Sequence, residues 1–103
     1  MARRTKDWNA GLARDLRDPS FARAFLLAAL DEGVPLQAAL AKVIRAAGVK
    51  EFAAKVGIAS PNVQRAINPR HTPSHATINR LLRPFGLRLG LALLDDGRGK
   101  RAA

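Results

Sequence analysis

From Leu36 to Ala47 the apolar residues Leu36, Ala39, Leu40, Val43, Ile44 and Ala47 recur at steps of three and four, and Gly48 ends the run. That spacing predicts an amphipathic helix with one buried face. The same period continues in shorter units. Lys50 to Val56 places Phe52, Ala53 and Val56 on one side before Gly57. Ser60-Pro61 reads as a cap followed by a first-turn proline, opening a helix through Val63, Ala66 and Ile67 to Asn68-Pro69. Thr72-Pro73-Ser74 opens another, with Ile78, Leu81, Leu82 and Phe85 on one face before Gly86. Pro84 has no N–H to give the carbonyl of Arg80, so the last turn there is expected to distort or end early.

Upstream, Asp18-Pro19 begins a helix predicted over 19–32 and stopped by Gly33. Its apolar set of Phe21, Phe25, Leu26, Leu27, Ala28 and Leu30 is wider than one stripe, which predicts two neighbours or a partner protein. Trp8, Leu12 and Leu16, four apart, predict a further short helix within residues 1–17. After Gly86 the period changes to two, with Leu87, Leu89, Leu91 and Leu93 alternating against Arg88, Gly90, Ala92 and Leu94. A lone strand cannot satisfy its own backbone, so its expected partner is the same strand of a second copy. The expected fold class is all-α, a five-helix-type bundle plus one C-terminal dimerising β-strand.

At 103 residues the chain has room for one modest core and none for a second catalytic domain. It contains no Cys, which removes disulfides, thiolate zinc sites and thiol nucleophiles. No apolar run reaches membrane length and the start MARRTKDWNAG lacks a secretory apolar stretch, so a cytoplasmic protein with no membrane partner is expected. The net charge of +10 is unevenly placed. Residues 1–35 hold six cations and five acids, whereas residues 36–94 hold nine cations against the single acid Glu51, a net +8. The chain thus divides into a near-neutral helical region (1–35), a basic folded region (36–94) and a polar tail (95–103), expected to be mobile. Positive charge concentrated in a folded segment points to a polyanion-binding domain; the plainer alternative is a solvated cationic surface.

Within the basic region, VKEFAAKVGIASPNVQRAIN carries the spacings of a helix-turn-helix. Ala53 is small where two helices meet, and Gly57, four residues on, permits a positive backbone angle between them. Phe52, Val56, Ile58, Val63 and Ala66 then point inward. On this reading residues 61–68 form a recognition helix, with Asn62, Gln64, Arg65 and Asn68 outward. Arg pairs bidentately with guanine and Asn or Gln with adenine, so the set suits base reading. Ser60, Arg70, Thr72, Ser74 and His75 lie at turns or helix starts and Lys50 at the start of the preceding helix, positions suited to phosphates. Glu51, near the same start, and the donor-free Pro61 count against individual contacts. His71 and His75 have no third ligand nearby, and no Ser, His and acid grouping stands out. No metal, cofactor or enzymatic activity is expected.

DLRDPSFARAFLLAAL, together with AAGVKEFAAKVGIASPNVQRAINPRHTPSHATINRLLRPFGLRL, resembles the addiction-module antidote proteins, antitoxins with a helix-turn-helix of the lambda-repressor or Xre type. The similarity covers about residues 8–93. It implies a lambda-repressor-like fold and a homodimer that represses its own operon by binding operator double-stranded DNA. It also implies that the chain neutralises a cognate RelE/ParE-like toxin by direct contact. The family usually has Gln at Glu51, Ser at Ala59 and Ala at Pro84, departures that touch the DNA contacts and the end of the last helix. Phe21, Phe25 and Leu26 are the expected toxin contacts, and Leu87, Leu89, Leu91 and Leu93 the dimerisation row. Alternatives are a stand-alone Xre-type repressor, a helical bundle with no DNA role, or a basic RNA-binding module; the last fits poorly with 5% aromatic residues.

Overall fold

Asp18 starts the first long helix as its sequence predicts: its carboxylate accepts a hydrogen bond from the Ser20 N–H at 3.0 Å, with Pro19 in the first turn. The structure, a computed structural model, describes residues 11–92; Trp8, Leu93 and the tail 95–103 lie outside them. Residues 11–15 are helical (α1). They are followed by α2 (Pro19–Asp31), α3 (Leu36–Ala47), α4 (Val49–Val56), α5 (Ser60–Ala66) and α6 (His75–Leu82), then a 3-10 turn, η1 (Arg83–Phe85). The described part is thus mostly helical.

A single apolar cluster runs through all of these elements, from Leu16 to Phe85. The boundary at residue 35 therefore separates differently charged surfaces and not two cores. Leu40, Val43 and Ile44 of α3 are essentially inaccessible and meet Leu26 of α2, Val63 of α5 and Leu81 of α6 in that cluster. Phe52 of α4 stacks on Phe85 of η1, with ring centroids 6.0 Å apart and 14° between planes. α2 does have two neighbours, α3 and η1, but buries only the stripe Ala22, Leu26 and Ala29. Phe21, Leu27 and Leu30 stay exposed.

One local expectation changes and another is met. Ser60 does not cap α5; Ala59 occupies that position without a side-chain bond, Ser60 begins the helix, and the helix ends at Ala66. Pro84 acts as its missing N–H requires, with α6 stopping at Leu82 and a 3-10 turn replacing the final α-turn. Residues 87–92 carry no regular secondary structure, because the ladder bonds of a strand need a second strand beside it. Leu87 and Leu89 are half-buried against the chain's own core, whereas Leu91 is fully exposed.

α3 and α4 meet with one residue between them. Gly48, at φ +96° and ψ 121°, donates to the Ile44 carbonyl (2.9 Å) while its own carbonyl accepts from the Phe52 N–H (2.9 Å). The Glu51 carboxylate lies where a β-carbon on Gly48 would project. It thus sits in the first turn of α4, where the helix dipole favours a negative group. Gly48→Ala strains a backbone at φ +96° and makes the Glu51 carboxylate swing aside, and is expected to cost about 1–3 kcal/mol in urea unfolding, chiefly from the backbone. An unchanged unfolding midpoint would contradict this account of the junction.

Candidate nucleic-acid interface

α4 and α5 are joined by three residues, Gly57, Ile58 and Ala59. Gly57 takes the left-handed conformation (φ 72°, ψ 33°), and the N–H groups of Gly57 and Ile58 both donate to the Ala53 carbonyl at 2.9 and 3.1 Å. Ala53 is buried at this crossing, as its small size requires. Val63, Ala66 and Ile67 anchor α5 in the core. Pro61, Asn62, Gln64 and Arg65 are exposed and occupy the opposite side of the helix.

The rest of the predicted set is placed less uniformly. Lys50 is exposed in the first turn of α4, and Arg70 and Thr72 are exposed on the loop between α5 and α6. His75 is the exposed first residue of α6, and Ser60 is half-buried. Asn68 lies beyond the end of α5 and not on its outward face. Its Oδ1 accepts from the Arg70 N–H at 2.9 Å, which makes it a turn-former. Ser74 caps α6: its Oγ accepts from the Thr77 N–H at 3.2 Å and donates to Thr77 Oγ1 at 3.0 Å. With its hydroxyl hydrogen engaged, Ser74 has no donor for a phosphate in this arrangement.

Four residues outside the predicted set organise this surface. Gln37, in the first turn of α3, places Nε2 within 2.7, 2.9 and 2.9 Å of the carbonyls of Ala66, Asn68 and His71. One carboxamide thereby satisfies the end of α5 and pins the loop that follows. Its only sequence signal is a polar residue beside an otherwise apolar helix face. Arg80, which counts toward the basic excess, is tied into the fold, since its Nη2 donates to the Gly57 carbonyl at 2.9 Å, at the end of α4. Asn79 Oδ1 accepts from the Leu89 N–H at 2.7 Å and ties the C-terminal segment to α6. Arg45, exposed in the last turn of α3, lines a cleft of about 400 Å³ together with Gln64 and Asn68. That brings a cation beside the polar face of α5, which sequence spacing does not reveal.

The predicted contacts for a protein partner also separate. Phe21 is 40% exposed, Phe25 is half-buried, and Leu26 is wholly buried beneath them. Leu26 has no surface to offer, because it belongs to the stripe packed into the core. The exposed apolar residues nearby are Leu27, Leu30 and Val34. Among the described residues no group of three or more His, Asp or Glu is arranged to hold a metal. No helix among them is long and apolar enough to cross a membrane.

Comparison with family models, curated proteins and solved structures finds no match to this chain.

Gln37→Leu keeps the bulk of the side chain and removes the donor shared by three carbonyls. It is expected to destabilise the fold by about 1–3 kcal/mol. Amide exchange around Asn68–His71 should accelerate more than at Leu40–Ile44. Equal protection of that loop in both proteins would show that the clamp does not hold it.

Proposed function

We propose that this chain is a sequence-specific DNA-binding protein of the antitoxin kind, dimeric on its operator, that also binds and neutralises a small RelE/ParE-like toxin. The observation that carries the DNA half is the exposed Asn62, Gln64 and Arg65 face of α5, on a helix fixed by the Gly57 turn and the Gln37 clamp. A rigid helix whose outward side chains are amide and guanidinium groups supplies the donors that major-groove base edges accept. Lys50, Arg70 and Arg45 stand around it as phosphate partners, with Thr72 and His75 on the following loop and helix start. Double-stranded DNA is favoured over single-stranded RNA because the core buries Phe52 and Phe85 and half-buries Phe25. Among the described residues the exposed ring, Phe21, belongs to α2, and no aromatic residue lies on α5 or the loop after it.

The toxin half rests on α2. Its outward side presents Phe21, Leu27 and Leu30 in the near-neutral third of the chain. Such an apolar face suits a protein partner and not a polyanion. Dimerisation would use the C-terminal leucine row, with Leu91 fully exposed for it. Two α5 helices about 34 Å apart would then face successive major grooves.

Fluorescence anisotropy against the duplex upstream of the chain's own gene tests the DNA half. Arg65→Ala should cost about 1–3 kcal/mol and relax the preference at one base position, whereas Arg70→Ala should weaken all sequences alike and lower the salt slope by about one. If that duplex binds no better than a scrambled one, the chain does not read sequence. For the partner half, Phe21→Asp combined with Leu27→Asp should leave operator binding intact and abolish co-purification with the small protein encoded beside it. Retained capture would move the contact elsewhere.

A further inference from the structure

A second charged surface lies around η1, apart from α5. Two clefts of about 310 and 420 Å³ share Arg83. Lys55 and Arg80 line the first, and Arg88 lines the second. Among the described residues, no acidic residue and no residue of α5 or its following loop lines either one. The walls between the cations are apolar: Val56 and Pro84 in one cleft, Leu87 in the other. Arg80 is held in place by Nη2, which reaches the Gly57 carbonyl at 2.9 Å and the Val56 carbonyl at 3.5 Å, while its Nε and Nη1 make no hydrogen bond among the described residues. Asn79, whose oxygen serves Leu89, contributes an amide donor to the second cleft.

Four cations flanking an apolar floor select a ligand that is both anionic and aliphatic. A single-stranded nucleic acid matches the charge, but its bases would want aromatic platforms, and among the described residues no aromatic side chain lines either cleft. A duplex presents phosphate and sugar, with no aliphatic group to fill the apolar walls. A peptide with carboxylates between aliphatic side chains matches both features, since Arg forms bidentate bonds to carboxylate while Val56, Pro84 and Leu87 receive the apolar groups. We infer that the two clefts that share Arg83, one with Lys55 and Arg80 and the other with Arg88, bind an acidic, leucine-bearing peptide segment of a partner protein. This site is independent of operator reading by α5 and of the apolar face of α2, so it stands or falls separately from them.

The test uses the full-length chain and a fluorescein-labelled peptide alternating Glu and Leu, with an oligothymidylate of the same net charge for comparison. The side chains of Arg83 and Arg88 are exposed or half-exposed and make no hydrogen bond within the described residues, so Arg83→Gln with Arg88→Gln should leave the fold intact by circular dichroism. The peptide is expected to bind more tightly than the oligothymidylate and to lose about tenfold in affinity in that double variant. Arg65→Gln should change its affinity by less than about twofold at physiological salt. The inference is overturned if the peptide does not bind, if the oligothymidylate binds as tightly with the same loss, or if Arg65→Gln weakens the peptide equally. It is also overturned if Asp95→Asn with Asp96→Asn raises peptide affinity several-fold, because the chain's own tail would then be the occupant.

Discussion

A seven-residue helix forms too few internal hydrogen bonds to persist in water, and α5 has seven residues. Its existence therefore depends on being held, and the hold comes from α4, against which it packs, and from α3, which clamps its end. Val63 and Ala66 are buried in the same apolar cluster as Leu40, Val43 and Ile44 of α3, and Gln37 of that helix takes up the carbonyl at the end of α5. The other short elements depend on the same arrangement. α4 joins α3 through the single residue Gly48, its Phe52 stacks on Phe85, and Arg80 of α6 satisfies a carbonyl where α4 ends. The Phe52 and Arg80 contacts link elements distant in sequence, so none of α4, α5 or α6 is defined by its own residues alone.

That dependence leaves the outer surface of α5 free of structural duty. The side chains of Asn62, Gln64 and Arg65 make none of the hydrogen bonds that hold the described fold, while Gln37, Asn68, Ser74, Asn79 and Arg80 nearby are engaged in holding backbone. Polar groups of the same chemical type thus divide into those that hold backbone and those left free for a ligand. On the far side, α2 gives one stripe to the core and turns the rest of its apolar surface outward. The proposed DNA and protein surfaces belong to one core, which gives them a fixed mutual geometry.

Much of this is legible in the residue pattern because local rules act unopposed. The Asp18-Pro19 start, the inward faces of α3 and α6, the Ala53–Gly57 turn and the effect of Pro84 each follow from sterics within a few residues. The pattern misleads where a helix boundary moves by one residue or where a polar side chain is taken up by backbone, near or distant. Ser60 and Ser74 both precede apolar runs, yet only Ser74 caps, because α5 begins one residue earlier than the Ser60-Pro61 pair implies. Asn68 and Arg80 look like free polar groups in sequence, and their partners decide otherwise. Leu26 looks like its neighbour Leu27, but one helical step of about 100° separates core from surface. The roles of Gln37 and Arg45 have no local signal, since their neighbours lie some 19 to 34 positions away in the chain.

The central claim is that the outward face of α5, held by α4 and α3, is the surface that meets DNA. Nitrogen-15 chemical-shift mapping of the full-length protein, titrated with the duplex upstream of its gene, tests this most directly. The account predicts that the largest shifts fall on residues 60–72 together with Arg45 and Lys50, while α2 and the surroundings of Arg83 and Arg88 stay unmoved. Shifts centred on α2 or on η1, with residues 60–72 unaffected, would contradict it.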